Sequence, residues 1–278
     1  MSIDSREGIR SAARVVVKVG SSSISGANAG RIAPLVDAIA AAHARGCEVV
    51  LVSSGAIATG MPYLQLDARP TDLATQQAAA SVGQNLLIFR YQDSLDRYDI
   101  VAGQVLLTAG DLENATPRSN ARRAMDRLLD LRILPIVNEN DTVATHEIRF
   151  GDNDRLAALV AQLLDADVLV LLSDVDALYT RPPQEPGAEP LVDVAYGDEL
   201  EGFVFGSVGA AGVGTGGAST KVSAARLAAE GGTAVLVTST ALVDQALNGA
   251  PVGTFFAPAP ADPAPADPAP ADPMTALS

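Results

Sequence analysis

Several residue types that support common chemistry are scarce in this chain of 278 residues. Its single cysteine, Cys47, excludes an internal disulfide and a cysteine-rich metal site. Its two histidines, His43 and His146, leave little for a zinc site. Tryptophan is absent, and aromatic residues make up 4% of the sequence. Because 48% of the residues are nonetheless hydrophobic, the chain can form the core of one large domain or two small ones.

Positive charge is also scarce, since 19 lysines and arginines face 33 acidic residues, which gives a formal net charge of −14. Such a surface argues against non-specific nucleic-acid binding, which requires basic residues to displace counterions. No apolar run reaches membrane-spanning length, and residues 1–14 lack the apolar core of a signal peptide. We therefore expect a cytoplasmic protein that binds neither nucleic acid nor a membrane.

Short β-branched runs that end in small polar turns occur twice in the first sixty residues, and helical periodicity follows each turn. Val15–Val19 is followed by Gly20–Ser23, and Glu48–Val52 is followed by Ser53–Gly55. Further strands are predicted at 100–107, 133–137, 168–172, 234–237 and 253–256. Helices are predicted from Ile32 to a stop at Gly46, at 73–91, 118–131 and 219–230, and from a cap at Asp152 or Asn153 to about Leu164. This alternation is typical of an α/β fold with a parallel sheet and right-handed crossovers.

Carboxylates and carboxamides are concentrated at both ends of residues 138–154, which follow the predicted strand 133–137. Polar loops at the carboxyl ends of buried strands are where open α/β sheets bind ligands. Acids and amides there suit a cationic or amino-bearing substrate, or a magnesium ion. The alternative is a solvated loop whose Asp152 or Asn153 caps the next helix.

Six glycines lie in residues 206–221, directly before the helix predicted from Ser219. Glycine backbone N–H groups can approach an anion closely, and a helix N-terminus adds partial positive charge. Lys221 adds a full positive charge, so a phosphate is the expected ligand. The spacing is not that of a Walker P-loop, and the match of Gly212, Gly214 and Gly217 to G-x-G-x-x-G is weak. A flexible surface loop is the alternative.

Lys18 lies inside a valine-rich run, where an ammonium group is costly to bury unless it reaches an anion. It either faces the crevice at the end of the sheet or is an edge-strand lysine in solvent. Two distant lysines, a glycine loop and an acidic cluster together favour phosphoryl transfer. No Gly-x-Ser-x-Gly motif is present, and neither histidine has a nucleophile at a suitable spacing. We interpret His43 as a surface residue and Cys47 as a packing residue.

Five motifs resemble those of the glutamate 5-kinases, a branch of the amino-acid kinase family: residues 16–22, 52–57, 138–141, 151–154 and 214–221. The resemblance extends from about Val15 to Phe256. It implies a three-layer α/β/α sandwich with a central, mainly parallel sheet, formed by residues 1–257. It also implies ATP-dependent phosphorylation of the γ-carboxylate of L-glutamate, with Mg²⁺, as the first step of proline biosynthesis. Feedback inhibition by proline and a homo-oligomer are further expectations.

The same resemblance implies roles for individual residues. Lys18 and Lys221 would neutralise the transferring phosphoryl group, and Asp154 would hold both lysines in place. The implied substrate-binding residues are Ser54, Asp141 and Asn153. The implied ATP-binding residues are Lys18, Ser173, Asp174, Gly214, Thr215, Gly216, Gly217, Ala218, Ser219, Thr220 and Lys221. No residue is assigned as a metal ligand. A carboxylate acceptor is already ionised at neutral pH, so no catalytic histidine is required.

Two other functions are compatible with these motifs. One is a sister kinase that acts on acetylglutamate, aspartate, carbamate or uridylate, although an acidic loop disfavours the phosphate of uridylate. The other is a non-catalytic amino-acid sensor, against which the retention of both lysines argues.

Residues 258–273 repeat Pro-Ala-Pro-Ala-Asp three times. This composition cannot form a core, so we predict a disordered tail over 258–278. Many members of the resembling family have a C-terminal PUA domain, and this sequence has the tail in its place. The tail is interpreted either as an inert spacer or as a docking segment for an enzyme that takes up the labile acyl phosphate.

Overall fold

The computed structural model describes residues 3–24, 26–143, 153–200 and 217–260, and every structural statement below refers to these ranges. Their strands are β1 (Arg14–Val19), β2 (Glu48–Val52), β3 (Ala102–Leu107), β4 (Leu134–Glu139), β5 (Val168–Ser173), β6 (Asp193–Val194), β7 (Ala234–Ser239) and β8 (Thr254–Phe256). Their helices are α1 (Ser21–Ile24), α2 (Ile32–Ala44), α3 (Ala56–Gly60), α4 (Leu73–Leu95), α5 (Ala109–Glu113), α6 (Ala115–Asp130), α7 (Asp154–Leu163), α8 (Ala218–Glu230) and α9 (Val243–Leu247). No helix in these ranges is both long enough and apolar enough to span a bilayer.

The strands form one sheet in the order β3-β4-β2-β1-β5-β7-β8-β6, and only the β7–β8 pairing is antiparallel. From β1 the chain continues to β2, β3 and β4 on one side, and then crosses to β5 on the other. Such a reversal is a topological switch point, which leaves a crevice at the carboxyl ends of β1 and its neighbours. The predicted α/β fold with a mainly parallel sheet is confirmed.

Side chains alternate between the two faces of the sheet, so each face has its own hydrophobic core. Val15, Val17 and Val19 pack on the face covered by α2, α4 and α9. Val16 packs on the other face, covered by α6, α7 and α8. Lys18 is two residues beyond Val16 in the same strand and therefore points towards α7 and α8. The result is the predicted three-layer sandwich, whose inner strands are apolar on both faces.

The main correction concerns the end of β4. Asn138 and Glu139 were predicted to begin a loop, but they extend the strand and are buried. They continue the ladder with β3, where Asn138 pairs with Leu106. Helix α6 also begins three residues before the predicted start, and the short elements β6 and α9 were not predicted because they are too short for periodicity to show.

Cys47, interpreted as a packing residue, and His43, interpreted as a surface residue, lie outside the sheet-end crevice. Cys47 belongs to the core on the α2 face, and burial raises the pKa of its thiol to about 11. His43 is half-buried on α2, with Nε2 3.1 Å from the carbonyl oxygen of Arg132. Residues 261–278 of the predicted tail lie outside the described ranges, so its disorder and the boundary at 257 stay predictions.

Helices α3 and α4 approach each other closely, because each has a glycine at the contact. A Cβ atom at Gly83 would lie 1.7 Å from the carbonyl oxygen of Ala56, and one at Gly60 would lie 2.0 Å from that of Ala79. Because α3 begins directly after the turn Ser53–Gly55, this contact holds α4 against the carboxyl end of β2.

We expect Gly83→Ala to lower the free energy of unfolding by at least about 2 kcal/mol, because the added methyl group overlaps a backbone oxygen of α3. Gly30→Ala is the matched control, since Gly30 is exposed and a Cβ there meets no atom within 4 Å. Urea denaturation followed by circular dichroism measures both variants. Equal stabilities would contradict the close contact.

Candidate active site

The carboxylate of Asp154 lies between two ammonium groups. Lys18 Nζ is 2.5 Å from Oδ1 of Asp154, and Lys221 Nζ is 3.0 Å from Oδ2. The hydroxyl of Thr220 donates to Oδ2 at 3.2 Å. All three charged side chains are buried, and Asp154 is completely so. Two ammonium groups thus share one carboxylate, so these three side chains together carry a net positive charge.

The fold brings these residues together from three elements. Lys18 is near the carboxyl end of β1, Asp154 is the first residue of α7, and Lys221 is in the first turn of α8. A carboxylate in the first turn of α7 is favoured by the helix dipole, and the N-terminus of α8 adds partial positive charge beside Lys221. Lys18 and Lys221 are also the two lysines of the whole sequence, so the remaining cationic side chains at neutral pH are arginines.

A network of carboxamide side chains lies beside this cluster. Asn153 Nδ2 donates to the carbonyl oxygen of Ser53 at 2.5 Å and to Oδ1 of Asn138 at 2.7 Å. Asn138 Nδ2 donates to Oε1 of Gln84 at 2.5 Å, and the backbone N–H of Glu139 donates to Asn138 Oδ1 at 2.9 Å. Asn153 is the N-cap residue of α7, but its side chain makes no capping bond, so the capping prediction is wrong for this residue.

The other implied substrate residues lie on the same edge of the sheet. The hydroxyl of Ser54 is buried and has no hydrogen-bond partner in the part of the chain that the structure describes. Since an unsatisfied buried hydroxyl is costly, a ligand that binds it is favoured. Asp141 follows β4 and lines a cavity of about 270 Å³ together with Gln84 and Glu139. The structure therefore places Asp141 on the Gln84 side of the network.

The implied nucleotide residues fall partly within the described ranges. The hydroxyl of Ser173, at the end of β5, donates to Oδ1 of Asp174 at 3.2 Å. Because β5 pairs directly with β1, both residues lie one strand away from Lys18. Gly217 precedes α8, which contains Ala218, Ser219, Thr220 and Lys221. Gly214, Thr215 and Gly216, with most of the glycine-rich segment and His146, lie outside the described residues.

The described side chains of the site do not form a binding site for a metal ion. Within the described ranges, no three acidic, histidine or cysteine side chains are grouped closely enough to hold one. Asp154 has one oxygen on each lysine. Magnesium is usually bound through substrate phosphates together with one or two carboxylates, and Asp174 is the exposed acid at the end of β5. The described residues therefore do not fit a metal held by protein ligands alone.

Four contributors to the site had no role predicted from the sequence. Gln84 and Tyr91, whose hydroxyl lies 2.9 Å from Oγ of Ser53, belong to the long helix α4, in a stretch that has no recognisable motif. Ser53 contributes its backbone oxygen, which no side-chain pattern can indicate. Asn138 was inside a predicted motif but had no predicted role, because its burial depends on the extra length of β4.

We expect Asp154→Asn to lower the free energy of unfolding by about 3–5 kcal/mol, since it removes the carboxylate that pairs with two buried ammonium groups. Asp165→Asn is the control, because Asp165 forms a solvent-exposed ion pair with Arg122 and such pairs contribute less than about 1 kcal/mol. Urea denaturation at neutral pH compares the two. Losses of similar size would show that the pairing of Asp154 with the two lysines does not stabilise the fold.

A family model, several known proteins and solved structures match this chain. The model of the amino acid kinase family matches residues 13–239. A glutamate 5-kinase of Leifsonia xyli is 76% identical over 259 residues, which cover 93% of this chain and 96% of that protein. A glutamate 5-kinase of Clavibacter sepedonicus is 77% identical over 258 residues, which cover 93% and 99% of the two chains.

Among solved structures, carbamate kinase from Giardia lamblia bound to AMP-PNP superposes with a TM-score of 0.63. The match covers 90% of this chain and 99% of that one, at 18% sequence identity. At this identity the likeness concerns the fold alone. The family match over most of the sequence, with the relatives in Leifsonia and Clavibacter, identifies the chain as a member of the amino acid kinase family.

Proposed function

We propose that the protein is an ATP-dependent glutamate 5-kinase. It transfers the γ-phosphoryl group of ATP to the γ-carboxylate of L-glutamate and forms L-glutamyl 5-phosphate, the first step of proline biosynthesis. The observation that carries the proposal is the meeting of Lys18 and Lys221 on Asp154 at the switch point of the sheet. The identity of 76–77% to glutamate 5-kinases over 93% of the chain supports glutamate as the acceptor.

In this reaction the two lysines act on the charge of the moving phosphoryl group. A carboxylate oxygen of glutamate attacks the γ-phosphorus while the bond to the bridging oxygen breaks, and ADP leaves with that electron pair. The acceptor is ionised at neutral pH, so no general base is needed. Lys18 and Lys221 stabilise the charge on the transferred oxygens, and Asp154 holds both ammonium groups in place before the reaction begins.

The remaining implied residues bind the two substrates. Ser54, Asp141 and Asn153 position glutamate at the ends of β2 and β4, so that its γ-carboxylate lies in line with the phosphate. Ser173 and Asp174 bind ATP together with residues 214–221, whose N–H groups and Lys221 suit phosphate oxygens. Magnesium bound to ATP would neutralise phosphate charge, and phosphate oxygens rather than the described side chains alone would hold the ion.

Further parts of the proposal rest on the family resemblance alone. These are feedback inhibition by proline, assembly into a homo-oligomer and a cytoplasmic location.

We expect Lys221→Ala to reduce kcat at least about 100-fold, because one of the two lysine side chains that stabilise the transferred phosphoryl group is lost. Arg226→Ala is the matched control, since Arg226 is an exposed cation one turn further along α8, bonded to the backbone oxygen of Asp198. A coupled assay of ADP release with glutamate measures both. Full activity of Lys221→Ala would refute the catalytic role of this cluster.

The acceptor is tested with the unchanged protein in the same assay. Glutamate should support ADP release, whereas aspartate and acetylglutamate should give at most a few per cent of that rate, because a shorter chain or a blocked amine cannot satisfy the same binding groups. Faster turnover with acetylglutamate or aspartate would assign the protein to a sister kinase. Glutamate binding without ADP release from any acceptor would identify a sensor.

A further inference from the structure

Helix α4 contacts the substrate side of the site at two points. Gln84 Oε1 accepts a hydrogen bond from Asn138 at the end of β4, and the hydroxyl of Tyr91 lies 2.9 Å from Oγ of Ser53 after β2. Tyr91 lies seven positions after Gln84, which is close to two helical turns, so both lie on one face of α4. The close contact of the neighbouring Gly83 with Ala56 fixes this face against the site.

Backbone groups determine which atom is nitrogen and which is oxygen in this network. Asn153 donates to the carbonyl oxygen of Ser53, which can only accept, so the donating atom is Nδ2. The N–H of Glu139 can only donate, so the atom of Asn138 that accepts it is Oδ1. Nδ2 of Asn138 must then point towards α4, where Oε1 of Gln84 accepts its hydrogen bond. A backbone group thus sets the orientation of Asn153 and of Asn138, and the orientation of Gln84 follows from that of Asn138.

This arrangement limits what Asn153 can offer to a ligand. Both hydrogens of its Nδ2 are used, one by Ser53 and one by Asn138. Its remaining polar atom, Oδ1, can only accept a hydrogen bond. An acceptor suits the α-ammonium group of an amino acid and does not suit a carboxylate. This step rests on the proposed function, because the amino acid is glutamate only if that proposal holds.

We propose that Gln84 is a positioning residue for substrate recognition, which holds Asn138, and through it Asn153, with the amide oxygen of Asn153 available to the substrate ammonium. Asn138 is buried, so loss of the Gln84 oxygen leaves one of its amide hydrogens without a partner. The Asn138 side chain then loses one of the contacts that hold it, and Asn153, which donates to Asn138, is held less firmly.

The test replaces Gln84 with an apolar side chain of similar length. Gln84→Met should raise KM for glutamate about five- to tenfold, in line with the loss of one hydrogen bond, and leave kcat and KM for ATP within twofold. Gln84→Leu removes the same oxygen with a different shape and should reproduce the effect if the first variant folds poorly. Thermal unfolding identifies the temperature range in which each variant is folded.

Gln162→Met is the matched control. Gln162 is also half-buried and also makes one side-chain hydrogen bond of 2.5 Å, to the carbonyl oxygen of Leu227 near the far end of α7. It should lose stability without any change in KM for glutamate. A purely structural role of Gln84 would make the two variants alike.

A second measurement tests how strongly the protein recognises the ammonium group of the substrate. Glutarate is glutamate without the amino group, so the ratio of kcat/KM for glutamate and glutarate reports on ammonium binding. We expect this ratio to fall about five- to tenfold in Gln84→Met and to stay constant in Gln162→Met. An unchanged ratio and an unchanged KM in an otherwise active protein would overturn the role of Gln84 alone. No glutamate-dependent ADP release from the unchanged protein would overturn the proposed function, and this inference with it.

Discussion

One buried carboxylate that pairs with two buried ammonium groups is the constraint on which the rest of this structure depends. Burial of an unpaired ion costs several kcal/mol, so Lys18, Asp154 and Lys221 must stay together once the protein is folded. They come from β1, α7 and α8, whose positions are therefore fixed relative to one another. A structural requirement for stability and a chemical requirement for a preformed cationic site are met by the same three side chains.

The carboxamide network extends this rigidity from the phosphoryl side to the acceptor side. Asn153 immediately precedes Asp154, so the residue that we assign to glutamate and the one that holds the lysines lie at the same helix start. Asn153 is in turn bonded to the ends of β2 and β4, and α4 supports both ends. The glycine contact between α3 and α4 places that helix close enough for side chains of ordinary length to reach the network.

Much of this organisation could be predicted from local patterns, and the limits have physical reasons. Valine-rich runs followed by polar turns predicted β1 and β2, and a lysine within such a run pointed to an anion in the crevice. Asn153 stands at one of the two predicted capping positions, but its side chain does not cap α7, because the carbonyl oxygen of Ser53 and the amide of Asn138 compete for it. Gln84 gave no local signal, since its partner Asn138 is 54 residues away and the contact exists only after α4 has packed on the sheet. The direction of β8, which pairs antiparallel with β7, was likewise not predicted, because a run of three residues does not indicate the direction of a strand.

The restriction of lysine to two positions, both on Asp154, makes this protein unusually simple to observe. An isotope placed in lysine side chains yields two ε-ammonium signals, and each reports on the proposed catalytic centre without interference from the surface. Any spectroscopic change of those signals on addition of a nucleotide or an amino acid is therefore a local reading of how the ligand redistributes charge around one carboxylate.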